Sequence, residues 1–388
     1  MNRSKSVPFL VLLAAAACAD ATAPTSSKLA PLVEPSMNLG TQLVPGEYIV
    51  VLRDGADVRA GVSRAQARGG EVVAEWATVL RGYAVRGGPS LVLDLRSDPS
   101  VQYVEQVQQY TTQTVQSNAT WGLDRIDQRD RPLNGTYVYN NTGSGVTAYI
   151  IDTGIRLSHN EFGGRASWGA NFAGGPSDDC NGHGTHVAGT VGGSRYGVAK
   201  AVRLVAVKVL SCSGSGSTTG VINGINWVVA NRATRSVANM SLGGGVSSAL
   251  DKAVNDAVGA GVTFVVAAGN SSANACNYSP ARATNAITVG ATTSTDARAS
   301  YSNFGSCLDL FAPGSSITSA WKSSNTATKT ISGTSMASPH VAGVVALILQ
   351  GSSATPAQVT STLLGNASTG KVSNAGSGSA NRLLFTNY

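Results

Sequence analysis

The sequence predicts an α/β protein built around a mostly parallel central sheet with helices on both faces, preceded by a small α+β domain. Three observations carry this. Beyond residue 114, continuous apolar runs alternate with helix-like stretches, the pattern of strands buried on both faces. Before residue 114, a shorter block mixes alternating strands with two helical segments. Apolar residues make up 42% of the chain and charged residues only 13%, a composition that excludes disorder overall and allows a sizeable core.

The first 18 residues have the pattern of a signal peptide. Arg3 and Lys5 supply positive charge, Phe9 to Ala17 is apolar, and small residues follow. The run is too short to span a bilayer, and no later run is long enough. An exported protein is therefore expected, with no membrane attachment in its mature form. Cys18 after Ala15-Ala16-Ala17 weakly resembles a lipoprotein cleavage site, and ordinary cleavage is the favoured reading. Residues 19–44 are rich in Pro, Ser and Thr and read as a linker.

The small domain, 45–113, reads as strand Glu47 to Leu52, helix Val58 to Arg68 and strands Glu71 to Trp76 and Arg81 to Val85. Helix Leu91 to Arg96 and strand Val101 to Val107 complete it. That order, β-α-β-β-α-β, is the ferredoxin-like arrangement. No catalytic constellation is evident in it. In the larger domain, 114–388, strands are expected at Val146 to Ile151, Leu204 to Leu210, Val237 to Leu242, Val262 to Ala267 and Ile287 to Gly290. Helices are expected at Val221 to Asn231, Ala249 to Ala260 and Ser335 to Gln350.

The net charge of +7 lies wholly in the larger domain, because residues 1–113 carry ten basic and ten acidic residues. The basic residues are scattered and form no nucleic-acid patch. Besides Cys18 there are four cysteines, Cys180, Cys212, Cys276 and Cys307, an even number in an exported chain. Two disulfides are expected, in any of three connectivities. Neighbour pairing closes loops of about 30 residues, each worth on the order of 3–4 kcal/mol in the chain-entropy account.

Four histidines limit the choice of a histidine base: His159, His183, His186 and His340. His183 opens His183-Gly184-Thr185-His186-Val187-Ala188-Gly189 where a helix would begin. Asp152 ends an apolar strand, at the edge where parallel sheets bind ligands; alone, it reads equally as a turn or cap residue. Ser335 lies in Gly333-Thr334-Ser335-Met336-Ala337 ahead of a long apolar helix, where backbone N–H groups can face an oxyanion; alone, it reads as a helix cap. Asn270 follows a buried strand and can offer a side-chain N–H to the same oxyanion, or be an ordinary Gly-Asn turn.

Together these segments resemble the three signatures of subtilisin-like serine proteases, in that family's order Asp, His, Ser. The resemblance is closest to the proteinase K branch, among the aqualysin-like enzymes, and covers essentially all of 114–388. It implies a three-layer subtilisin-like fold, and an inhibitory propeptide for 45–113 with cleavage near Gln113–Thr114. By position, Ser335 matches the nucleophile, His183 the general base, Asp152 its orienting carboxylate and Asn270 the oxyanion donor. His186 and His340 match structural positions. Extended protein or peptide substrates would pair with Gly214, Ser215 and Gly216 (after Ser213) and with Ser241, Leu242 and Gly243 (before Gly244). The preference the resemblance implies is broad, favouring apolar or aromatic residues before the cut.

The resemblance further implies structural Ca²⁺. Asp309, with the carbonyls of Thr284 and Ala286, matches one site. Asp124, Asp127 and Gln128 match a second, weakened where Asn134 stands in place of a carboxylate. Asp178-Asp179 is a third candidate. The implied disulfides are Cys180–Cys212 and Cys276–Cys307. The chain is expected to be a monomer and a self-processed zymogen. An inactive binding module is disfavoured by the filled triad, and an α/β-hydrolase esterase by the missing G-x-S-x-G elbow and the different triad order.

Overall fold

A computed structural model of the chain describes residues 29–33, 42–109 and 114–388. The signal segment, Cys18, most of the linker stretch and residues 110–113 lie outside the described residues. The described residues divide into two compact units, the first holding 29–33 and 42–109 and the second 114–388.

In the first unit the elements are β1 (Leu32–Val33), β2 (Gln42–Leu52), α1 (Val58–Ala67), β3 (Glu71–Trp76), β4 (Gly82–Arg86), α2 (Pro89–Arg96) and β5 (Val101–Gln109). The sheet runs β1-β5-β2-β4-β3. The β-α-β-β-α-β order of the sequence reading is present from β2 to β5. One strand was not anticipated: Leu32–Val33, within the stretch read as linker, pairs in parallel with Val104–Glu105 of β5. Val58 and Ala65 of α1 and Leu91 and Leu95 of α2 pack with Val50, Val85 and Val104 of the sheet into one core.

The second unit opens with the antiparallel pair β6 (Thr114–Ser117) and β7 (Thr136–Tyr139), with α3 (Trp121–Ile126) between them. There follow β8 (Thr147–Asp152), β9 (Ala166–Asn171), α4 (His183–Gly192), β10 (Arg203–Lys208), α5 (Thr218–Ala230), β11 (Ser236–Met240), α6 (Ser248–Gly259), β12 (Thr263–Ala267), β13 (Ile287–Thr292) and β14 (Leu310–Pro313). The antiparallel pair β15 (Ile317–Ala320) and β16 (Thr328–Ile331) precedes α7 (Thr334–Leu349), α8 (Pro356–Asn366), β17 (Ser368–Thr369) and β18 (Arg382–Leu383). The main sheet runs β17-β18-β14-β13-β12-β11-β8-β10-β9. Every pairing in it is parallel except β17 with β18.

Burial on both faces explains the unbroken apolar strands. Along β8, Ala148 and Ile150 join the core shared with α4 and α7, while Tyr149 and Ile151 join the core shared with α5 and α6. The helices begin where small polar residues can satisfy free N–H groups. Ser217 accepts from Gly220 N at 3.1 Å, and Ser247 from Leu250 N at 3.3 Å. The carboxyl ends of β8 and of its neighbour β11 open on one edge, and the candidate residues gather there.

Candidate active site

Asp152 is the last residue of β8, and its side chain is fully buried. His183 is the first residue of α4. Two glycines let the helix start abut the strand end. Gly154 adopts φ +110°, a left-handed value that only glycine holds without strain. A Cβ on Gly184 would collide with the carbonyl oxygen of Gly154. His183 Nδ1 thereby lies 2.8 and 3.0 Å from the two oxygens of Asp152. Asp152 Oδ1 also accepts from Thr153 N at 2.7 Å, so the carboxylate cannot turn freely. A proton on Nδ1 satisfies that carboxylate and leaves Nε2 with a lone pair. Burial opposes the protonated imidazole, but the Asp152 carboxylate outweighs it and Asp179 adds to it, so the His183 pKa is raised.

The other histidines are engaged elsewhere. His186 Nε2 lies 3.0 Å from Ile317 O, and His340 Nδ1 lies 2.8 Å from Met336 O. Burial pushes both imidazoles down to about 4. His159 Nε2 lies 2.9 Å from Ala327 O. Among the described residues, only His183 hydrogen-bonds to a carboxylate.

Ser335 is the second residue of α7. The sixth residue of this helix, Pro339, lacks the N–H that would bond the Ser335 carbonyl. That carbonyl instead accepts from Ser241 Oγ at 2.8 Å. The Ser335 hydroxyl donates back to Ser241 O at 3.2 Å. Ser241 Oγ accepts from Asn239 Nδ2 at 2.9 Å, and Asn239 Oδ1 accepts from Ser338 Oγ at 2.7 Å. The helix start is thus clamped to the end of β11. Among the described residues no hydrogen bond joins Ser335 Oγ to His183; the side chain is turned to Ser241 O. The structure therefore pairs Asp152 with His183 directly and holds Ser335 at the neighbouring strand end.

Asn270 is anchored by its oxygen. Oδ1 accepts from Thr334 N at 2.8 Å and from Thr334 Oγ1 at 2.9 Å. Its Nδ2 makes no hydrogen bond among the described residues. A Cβ on Gly333 would lie 3.6 Å from both Asn270 Nδ2 and Ser335 N, so both nitrogens border the space that this glycine leaves open. Asn303, which the sequence reading passed over, props the loop from beneath. It donates to Ala268 O at 2.8 Å and accepts from Ser271 N and Ala273 N at 3.0 Å.

A cleft of about 510 Å³ has His183 in its lining. Ser241, Leu242 and Gly243 line it, as do Gly214, Ser215 and Gly216. The sequence reading named both segments. It missed the apolar wall of Leu210, just past β10, with Val221 and Leu250, which the helical periodicity of α5 and α6 shows only as inward-facing residues.

The proposed calcium ligands differ in availability. Asp309 accepts from Thr288 N at 2.8 Å through one oxygen, and among the described residues the other has no hydrogen-bond partner. Asp124 accepts from Asn134 N at 3.1 Å and Gly135 N at 2.8 Å. Asp127 accepts from Val138 N at 2.7 Å, but its Oδ1 is buried without a partner. Gln128 donates through Nε2 to Asp130 O and Pro132 O, which leaves Oε1 unused. These oxygens suit a hard cation. Among the described residues no group of three or more His, Cys, Asp or Glu gathers, so amide and carbonyl oxygens would have to complete either shell. At Asp178-Asp179 both Asp179 oxygens accept from protein donors, as both Asp124 oxygens do, while Asp178 accepts from Asp179 N at 2.7 Å through one oxygen. Disulfides join Cys180 to Cys212 and Cys276 to Cys307, with Cα–Cα distances of 4.9 and 5.3 Å. The first anchors the loop before His183 to the segment before Gly214.

Residues 143–383 match the Subtilase family, and the chain belongs to it. It is a secreted serine endopeptidase of the subtilisin type. It is 53% identical, over the full length of both chains, to an extracellular serine proteinase of Thermus sp. strain Rt41A. It is 58% identical to alkaline serine exoprotease A of Vibrio alginolyticus over 79% of this chain and 59% of that protein. Among solved structures it resembles a cold-adapted subtilisin-like serine proteinase, with a TM-score of 0.68 and 61% identity over 69% of this chain and 98% of that one. No described helix is long and apolar enough to cross a membrane.

Proposed function

We propose that Ser335, His183 and Asp152 form the catalytic triad and that Asn270 Nδ2 and Ser335 N form the oxyanion site. The carrying observation is the one histidine–carboxylate pair among the described residues, with its imidazole lining the cleft. On substrate binding the Ser335 hydroxyl turns from Ser241 O to His183 Nε2. The imidazole takes its proton as Oγ bonds to the scissile carbonyl carbon. The electron pair moves to the carbonyl oxygen, which the two N–H groups receive. Asp152 stabilises the imidazolium, which then protonates the leaving amine as the C–N bond breaks. Water, deprotonated by the same nitrogen, attacks the acyl-enzyme and restores Ser335.

The substrate lies extended between Gly214-Ser215-Gly216 and Ser241-Leu242-Gly243. Leu210, Val221 and Leu250 favour apolar side chains on it. The first unit acts as an intramolecular inhibitor, and self-cleavage near Gln113–Thr114 releases a monomeric enzyme. Ca²⁺, held by Asp309 with the Thr284 and Ala286 carbonyls and by Asp124, Asp127 and Gln128, supplies loop rigidity and no chemical step. Incubating the purified full-length chain with casein tests this. The expected result is casein hydrolysis and a new amino terminus near Thr114, both absent in Ser335→Ala. Hydrolysis by Ser335→Ala would refute it.

A further inference from the structure

We infer that Asp179 is a positioning residue that fixes His183 relative to Asp152, by latching the turn after β8 to the start of α4. This rests on the triad proposed above. Asp179 is 2% exposed, and among the described residues it has no ion-pair partner. Five donors surround its carboxylate instead. Oδ1 accepts from Thr153 Oγ1 at 2.8 Å, Asn181 N at 3.1 Å and Gly182 N at 2.7 Å. Oδ2 accepts from Thr185 N at 2.8 Å and Thr185 Oγ1 at 2.5 Å.

These donors flank the two triad members. Thr153 follows Asp152 and donates its N–H to it, and Thr153 Oγ1 accepts from Gly184 N at 2.9 Å. Gly182 and Gly184 bracket His183. A closed circuit therefore runs Asp152–Thr153–Asp179–Gly182–His183 and back through the Nδ1 contact. Lys208 Nζ holds the opposite side of the turn, donating to Thr153 O at 2.6 Å. An anion near a helix N-terminus would by itself explain the Gly182 and Thr185 contacts. It does not explain the bond from Thr153, which belongs to a different element. Only an ionised carboxylate accepts from all five, since an amide must point an NH₂ group at one set of donors.

Misplaced catalytic groups lose turnover before they lose substrate binding. The test is Asp179→Asn in the full-length chain after maturation, with kcat counted per active site titrated by a fluorophosphonate. Hydrogen bonds to charged groups of this kind predict a fall of about 10- to 100-fold in kcat, with KM within about threefold. Wild-type kcat per titrated site, whatever the melting temperature, would overturn the inference. Should Asp179→Asn fail to fold, Thr185→Val and Thr185→Ser decide the question. The valine variant should lose about 3- to 10-fold in kcat and the serine variant should recover most of it; equal values in both would overturn it. Ser335→Ala separates the two levels. If that variant is inactive while Asp179→Asn is normal, only the positioning role fails; if it retains activity, the triad reading itself fails.

Discussion

Asp152→Asn removes the charge that the geometry sets against His183 while keeping the shape of the side chain. The Asp152 carboxylate is fully buried and lies 2.8 Å from Nδ1 at its nearer oxygen. At an effective dielectric constant of about 20, unit charges at that separation interact by roughly 6 kcal/mol. About 1.4 kcal/mol corresponds to a factor of ten, so kcat should fall about 10⁴-fold. The same replacement in another Asp-His-Ser triad has an effect of that size. The pH profile moves as well. His183 is faced by Asp152 from β8, by Asp179 from the loop ahead of α4 and by His186 from its own helix. Burial lowers its pKa and the two carboxylates raise it, Asp152 the more strongly. Without Asp152 the imidazole loses its proton at lower pH, so the acid limb of kcat/KM should shift to lower pH. Hydrolysis of a peptide anilide from pH 5 to 9, normalised to titrated sites, reads both effects. A loss below tenfold, or an acid limb that moves upward, would refute the reasoning.

Asn270→Ala should lower kcat by about 10²–10³ with little change in KM, since the lost N–H serves the developing oxyanion; steady-state kinetics on the same anilide checks it. Removal of divalent cations with EDTA should lower the melting temperature and speed autolysis, because the unpartnered Asp127 Oδ1 and Asp309 oxygen would lose their counter-charge. Unchanged calorimetric melting would remove calcium from the account.

Most of the architecture could be read from periodicity. The strand Thr147–Asp152 is unbroken in apolar character up to its last residue because both faces are covered, and this places Asp152 at the sheet edge. What escaped depends on contacts between distant segments. β9, Ala-Ser-Trp-Gly-Ala-Asn, is only half-buried at the sheet margin and has no clear alternation. β14 ends in a proline, which reads as a breaker. Helix α7 continues through Pro339 because Ser241 takes the carbonyl that the proline leaves free. Asp178 and Asp179 look alike in a polar loop, a natural place to expect surface carboxylates or a cation. Tertiary folding separates them, since it brings Thr153 to Asp179 from 26 residues away and buries the carboxylate. Asn303 likewise gives no local sign that it supports the Asn270 loop, from which it is distant along the chain.

The most direct measurement is the rate and position of fluorophosphonate labelling of the matured chain, mapped by peptide mass spectrometry. The account predicts one adduct, on Ser335, absent from Ser335→Ala and formed far more slowly in His183→Ala. Labelling at a different serine, or labelling of Ser335 at an unchanged rate without His183, would contradict it.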